Sequence, residues 1–302
     1  MTSRRRFLAI SAAAIAFPSL TTAQPVYTWQ GLALGARATL RLAHPEAKAI
    51  TARVAAEISR LEDVFSLYRS QSALAQLNQM GELRDPPFEL LECLSLAGQV
   101  HKASGSRFDP TVQPLWASYA NAAVAGGLPD DQMLADAIAV TGWKKVGFDA
   151  GAIVLEPGMG LTLNGVAQGY IADRIADMLH AEGLTDILID TGEIRALGTH
   201  PDGQAWPVKL AAGGSVRLAS RALATSAPLG TTFDEGGQVG HILDPRTGQT
   251  MLPVWQEVSI SAPSAALADA LSTAGCLFDT RAGLAACVSH FKDAKVEAAV
   301  PV

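Results

Sequence analysis

The sequence predicts an α+β fold of mixed helices and antiparallel strands. Several segments repeat apolar residues at helical spacing, and a separate run of short strands is punctuated by turn signals. The two do not alternate as regular βαβ units. "GLALGA" and "GGLPDD" also fail to make a G-x-G-x-x-G turn between strand and helix, so a Rossmann nucleotide site has no support. With 302 residues, 49% of them hydrophobic and 17% charged, the chain can bury a large core. Its 23 Lys+Arg against 29 Asp+Glu leave a net charge of −6. That balance favours neither a nucleic-acid surface nor an anionic membrane.

The N-terminus reads as an export signal. Residues 1–23 hold Arg4, Arg5 and Arg6, an apolar stretch, and Thr21-Thr22-Ala23 as a cleavage site. Arg4 and Arg5 followed by Phe7 and Leu8 fit the twin-arginine pattern, so the mature chain, residues 24–302, is expected in a bacterial periplasm. The apolar run is too short to span a bilayer and no cysteine follows it. Neither stable membrane insertion nor a lipid anchor is therefore expected.

The elements follow in order. "YTWQGLALGARATLRLAH" has strand character around a glycine-marked bend. Ile50, Val54, Ile58, Leu61 and Val64 predict a helix over residues 46–66. "DPPFELLECLSLAGQVHKASG" opens with two prolines and stops at Gly105, the boundaries of a second helix. Residues 130–140 make a shorter third. "RFDPTVQPLW", with its two prolines, is expected to be a rigid loop. "GVAQGYIADRIADMLHAEG" is helical through Val166, Ile171, Ile175 and Leu179, and "LTDILIDTGEIRALG" behind it is a buried strand turning through Gly192. "WPVKLAAGG", "SRALATSA", "GHILDPRTGQ" and "WQEVSISAP" read as short strands. "PSAALADALSTAG" and residues 281–291 read as helices.

Cys93, Cys276 and Cys287 form no C-x-x-C pair, so zinc and thioredoxin-like chemistry have no support. Their apolar contexts favour buried thiols, with a Cys276–Cys287 disulfide left open.

Candidate chemistry sits beside the turns. In "PSAALADALSTAG", Asp269 and Thr273 share a helix face among Ala266, Ala270 and Ala274. Oxygen donors suit a hard cation such as Mg²⁺, which takes one or two carboxylates and completes its shell with phosphate and water. The plainer alternative is a helix capped by Ser264, with Asp269 in solvent and Thr273 bonded back to a carbonyl. Asp109 and Thr111 could face a ligand beside Trp116 as a stacking surface, or form a stiff turn over the core. His241 opens "HILDPRTG" and is of the residue type best suited to take a proton near neutral pH.

The order of the motifs adds a further reading. "FSLYRSQSALAQLN", "FDPTVQPLW", "LNGVAQGYIAD", "GEIRALG", "TSAPLG", "GHILDPRTG" and "ADALSTAG" follow one another over residues 65–275. This series resembles the ApbE family of FAD:protein FMN transferases across nearly the whole mature chain.

The resemblance implies a single α+β domain holding FAD in a cleft with Mg²⁺. Asp269 and Thr273 would be metal ligands, joined by a backbone carbonyl near Gly165. Tyr68 matches a flavin-contacting tyrosine, and Phe108, Asp109 and Thr111 fall in the segment lining the FAD site. Leu34, Thr162, Gln168 and Ile242 occupy other nucleotide-binding positions. The implied reaction moves FMN from FAD to a threonine hydroxyl of another protein and leaves AMP, with His241 taking the threonine proton. The implied partner is a periplasm-facing flavoprotein domain of a membrane redox or regulatory complex. The leader, "WQGLALGARATL" and "FSLYRSQSALAQLN" together are similar to the branch associated with nitrous oxide reductase maturation.

The chain also departs from the family pattern. Leu34 stands for a methionine, Gln113 and Ala227 for glycines, Thr162 for an aspartate, and Gln168 for a lysine or an acid. Losing a carboxylate at 162 bears on nucleotide and metal affinity. An FAD hydrolase with water as nucleophile, or a non-catalytic FAD-binding assembly factor, are the alternatives.

Overall fold

The computed structural model describes residues 26–210, 212–250 and 253–302, so the export signal read in residues 1–23 lies outside the described residues. Strands β1 (Tyr27–Ala33) and β2 (Ala36–Leu42) pair in register from Tyr27 with Leu42 to Ala33 with Ala36. The glycine-marked bend is a two-residue hairpin turn in which Leu34 and Gly35 both take positive φ. Next come α1 (Ala47–Phe65), α2 (Ala73–Met80), β3 (Glu82–Arg84), α3 (Phe88–Ala103), α4 (Gln113–Val124) and α5 (Asp131–Ala139). Two short strands, β4 (Gly147–Phe148) and β5 (Ala152–Val154), complete a small sheet with β3. The second half holds α6 (Ala167–Ala181), β6 (Ile187–Asp190), β7 (Ile194–Leu197), β8 (Trp206–Lys209), β9 (Ser215–Leu218) and β10 (Ala222–Ser226). The chain ends with β11 (Trp255–Ala262), α7 (Ala265–Gly275), α8 (Arg281–Val288) and β12 (Lys295–Pro301).

The main sheet runs β1-β2-β6-β7-β10-β11-β12 with every neighbouring pair antiparallel. Its two faces follow from the period of two along each strand. Ile187 and Ile189 join Leu40, Ala222, Ala224 and Ile260 in the main core, which takes in Ile50, Val54 and Leu61 of α1 and Ile171, Ile175 and Leu271 of α6 and α7. Leu188 and Leu223 point the other way, where the β8–β9 hairpin covers them with Trp206, Val208 and Leu218. The expected α+β class therefore holds, and the helices expected over residues 46–66 and 130–140 stand within a residue of α1 and α5.

Three local readings are corrected. "RFDPTVQPLW" is not a loop throughout: Pro110–Val112 forms a 3₁₀ turn that runs directly into α4, so Trp116 is helical. Prolines sit in the first turn of both elements, where a missing N–H costs no hydrogen bond. "GHILDPRTGQ" forms no strand; only isolated bridges join Thr232 to Gly240 and Leu243 to Thr250. Its backbone instead turns tightly about Asp244, whose carboxylate accepts hydrogen bonds from the Arg246 guanidinium and main-chain N–H. The C-terminal strand β12 was not anticipated. The three cysteines are buried and free, without a Cys276–Cys287 bridge.

Helices α6 and α7 touch backbone to backbone. A Cβ added at Gly169 would lie 2.3 Å from the Ala265 carbonyl oxygen, so only glycine permits this approach. The first N–H groups of α7 are then all met: Ala265 and Ala266 donate to the Asp173 carboxylate at 2.8 and 2.9 Å, and Leu267 donates to Ser264 Oγ at 3.2 Å. Arg195 of β7 stands 3.2 Å from the same carboxylate. Replacing Asp173 with Ala should remove about 2–4 kcal/mol of stability, because it strips two helix donors and isolates a largely buried guanidinium. Urea denaturation monitored by circular dichroism checks this; a loss within error of zero would show the cap to be incidental.

Candidate active site

A cleft of about 390 Å³ opens where the N-terminus of α6, the second half of α7, the β6–β7 turn and the loops around residues 107–112 and 225–245 meet. Main-chain hydrogen bonds by motif residues fix its walls. Asn78, the last residue of "SALAQLN", clamps Leu161 with its amide, donating to the carbonyl at 2.8 Å and accepting the N–H at 2.7 Å. The next residue, Thr162, donates its N–H to the Pro110 carbonyl at 2.8 Å and so ties this strand-like segment to the 3₁₀ turn. Gly165 then passes so near α7 that a Cβ there would meet Thr273 Oγ1 at 2.9 Å and Phe108 Cε2 at 3.2 Å. The loop carrying His241 and Ile242 is held from below, where Tyr119 donates its hydroxyl to the Gly248 carbonyl at 3.2 Å.

Asp269 is 3% exposed and lines the cleft. The N–H of Gly169, in the first turn of α6, donates to Asp269 Oδ2 at 3.3 Å. Burial nonetheless pushes its carboxyl pKa up to about 8. The Thr273 hydroxyl lies 3.3 Å from Ser226 Oγ, and Ser226 is in turn 2.7 Å from Ser272 Oγ. Across the cleft, Glu193 is also buried; burial first, then the charge of Asp269, raises its pKa well above the carboxylate range. Among the described residues no Lys or Arg makes an ion pair with either acid. Arg107 lines the cleft, but it donates to the Leu277 and Ser104 carbonyls and lies 4.4 Å over the Phe278 ring.

His241 is half-buried. Its Nδ1 donates to the Thr231 carbonyl at 3.0 Å, which leaves Nε2 with a free lone pair. Burial lowers its pKa, and the carbonyls of Thr231 and Pro228 oppose that shift without outweighing it. The imidazole is thus neutral at pH 7 and able to accept a proton.

The structure brings together most of the residues singled out in the sequence. Phe108, Asp109, Thr162, Gly165, Gln168, His241, Ile242, Asp269 and Thr273 all line the cleft. Three others stand elsewhere. Leu34 is in the β1–β2 turn, with its N–H donating to Glu62 Oε1. Tyr68 is 82% exposed on the loop after α1. Thr111 is fully buried, its hydroxyl donating to Asp109 Oδ1 at 2.6 Å and accepting from the Gly142 N–H at 2.7 Å. Asp109 itself is occupied with main-chain donors at Thr111 and Trp143, so its carboxylate braces the turn. Asp269 is buried, which sets aside the solvated alternative, although Ser264 does cap the helix. Glu193, inside "GEIRALG", belongs to no spacing motif in the sequence; its one signal there is an acid immediately after a turn glycine, entering a buried strand.

Fold and site together define an α+β protein with a cleft at a helix N-terminus that holds the buried acids Asp269 and Glu193 against an apolar wall. The ApbE family model matches residues 34–299, and the chain belongs to the ApbE family. Two relatives named FAD:protein FMN transferase share its sequence at length. The one from Klebsiella pneumoniae (strain 342) is 29% identical over 236 residues, covering 74% of this chain and 73% of its own. The one from Treponema pallidum (strain Nichols) is 31% identical over 269 residues, covering 74% and 72%. The apo flavinyl transferase ApbE of Pseudomonas stutzeri superposes with a TM-score of 0.79 at 25% identity, over 91% of this chain and 95% of that one.

A pH dependence follows from Asp269. Its pKa is raised in the folded protein, so the folded chain holds a proton that the unfolded chain releases. Metal-free stability should therefore fall as pH rises from the ordinary carboxylate range, near ~4, towards about 8. Thermal melts in chelator should show that decline, and Asp269→Asn should flatten it. An unchanged slope in the variant would mean that the carboxyl is not perturbed.

Proposed function

We propose that this chain transfers the FMN half of FAD to a threonine hydroxyl of an acceptor protein and releases AMP, assisted by Mg²⁺. The observation that carries the reading is the buried Asp269 carboxylate beside Thr273 Oγ1 and the Gly165 main chain, at the N-terminus of α6. These are hard oxygen donors without a protein cation, which fits Mg²⁺. Bound there, Mg²⁺ would neutralise the diphosphate and favour departure of the AMP phosphate.

The chain's own groups supply the rest. Main-chain N–H groups at the start of α6 and its dipole favour the phosphates on the same side as Asp269. Phe108, Val112, Trp116 and Ile242 give the cleft an apolar wall suited to the flavin or adenine ring. His241 Nε2 takes the proton of the threonine hydroxyl as its oxygen bonds to the FMN phosphorus; the bond to the AMP oxygen breaks, and AMP departs. The twin-arginine leader supports action in the periplasm, on the exposed domain of a membrane flavoprotein of redox or regulatory type. Similarity to the nitrous oxide reductase maturation branch supports that system as the setting.

Incubating the chain with FAD, Mg²⁺ and an acceptor domain should give a flavin-fluorescent acceptor band on a denaturing gel. His241→Ala should slow labelling by about 10²–10⁴-fold while FAD affinity stays near that of the wild type. Equal AMP release without any acceptor would identify a hydrolase instead, and loss of FAD binding in the variant would remove the proton-accepting role.

A further inference from the structure

Glu193 lies in the turn between β6 and β7, just after Gly192, which takes φ +102°. The turn is fastened to α6, because Thr191 donates its hydroxyl to the Gln168 carbonyl at 2.9 Å. The carboxylate of Glu193 thereby enters the cleft that holds Asp269, although the residue is only 7% exposed. Its Oε2 is buried and has no hydrogen-bond partner among the described residues.

A buried carboxylate oxygen without a donor is costly, and three groups could relieve it: a proton, a protein cation or a metal ion. A proton on Oε2 would remove the charge but would itself leave a buried O–H to be satisfied. Among the described residues no Lys or Arg pairs with Glu193: Arg195 stands against Asp173, and Arg107 is committed to two carbonyls and the Phe278 ring. A divalent cation remains, and it suits a cleft that Asp269 lines as well.

We propose that Glu193 is a second carboxylate ligand of the cation seat, alongside Asp269, Thr273 and the Gly165 main chain. The inference rests on the cation-assisted reading above and goes beyond its ligand set. Two carboxylates match the charge of a divalent ion, so the seat can load before any nucleotide arrives. With Asp269 alone, the ion would depend on the diphosphate to complete its charge balance.

Titrating the nucleotide-free full chain with Mn²⁺, read by electron paramagnetic resonance, tests this without reference to turnover. Wild type should bind one Mn²⁺ per chain. Glu193→Gln and Asp269→Asn should each weaken binding by about tenfold or more, and FAD should restore part of the loss in Glu193→Gln. Glutamine keeps the size and shape of the side chain, and cooperative thermal melts identical in shape to wild type establish that the variants fold. If Glu193→Gln binds Mn²⁺ as wild type does while Asp269→Asn does not, the role of Glu193 is overturned and the seat stands. If neither substitution matters, the cation seat itself falls.

Discussion

The close approach of α6 and α7 is the constraint on which the cleft depends. Because Gly169 has no side chain, the two helices meet at the level of their main chains, and the Gly169 N–H reaches the Asp269 carboxylate. Asp173, one turn further along α6, caps α7 and fixes its rotation about its own axis. That rotation decides where Asp269 and Thr273 point, since residues four apart share one face. The alanines on α7 serve the same end: Ala266, Ala270 and Ala274 are all buried, and larger side chains would lift the helix from its neighbours. Small residues here set a distance, and the distance sets the chemistry.

A cleft so arranged carries an electrostatic debt in its ligand-free form. Asp269 and Glu193 are both buried, both have raised pKa values, and neither has a protein counter-ion among the described residues. Evolution of a merely stable fold would fill such positions with apolar groups, because unpaired buried acids destabilise. The proposed cation would supply the positive charge that both lack. The α6 N-terminus and neutral His241 then complete a site suited to anionic phosphates at one end and proton removal at the other.

Much of this was legible in the sequence, and the physical reasons for the gaps are specific. Helical periodicity marks α1 and α6, because each shows a continuous apolar face, and the Pro86-Pro87 and Gly105 boundaries mark α3. The start of α4 was hidden because Pro110 and Pro114 read as breakers, whereas prolines in a first turn are compatible with helix. The loop around His241 looked like a strand because its hydrophobic residues face a small core of Leu115, Tyr119 and Leu243 without sheet pairing. Asp109 and Thr111 looked like ligand groups; the structure uses their oxygens to satisfy backbone N–H groups at Thr111, Gly142 and Trp143. Glu193 was missed because no spacing rule links an acid on a β-turn to one on a helix 76 residues away; only the fold makes them neighbours.

The departures at 162 and 168 gain meaning from the same charge balance. Thr162 keeps its place through its N–H bond to Pro110, a contact that does not depend on the side chain. Its hydroxyl accepts the Asn164 N–H at 3.3 Å, as a carboxylate would, without adding charge to the cleft. A Cβ added at Gly192 would lie 3.1 Å from the Gln168 amide, so Gln168 packs directly against the turn that carries Glu193. A lysine there would place a competing cation near the unpartnered Glu193 carboxylate, and an acid would add a third negative charge. A neutral amide does neither. With Thr162 and Gln168 both uncharged, the anionic character of the proposed cation seat rests on Asp269 and Glu193, two carboxylates that would match one divalent ion.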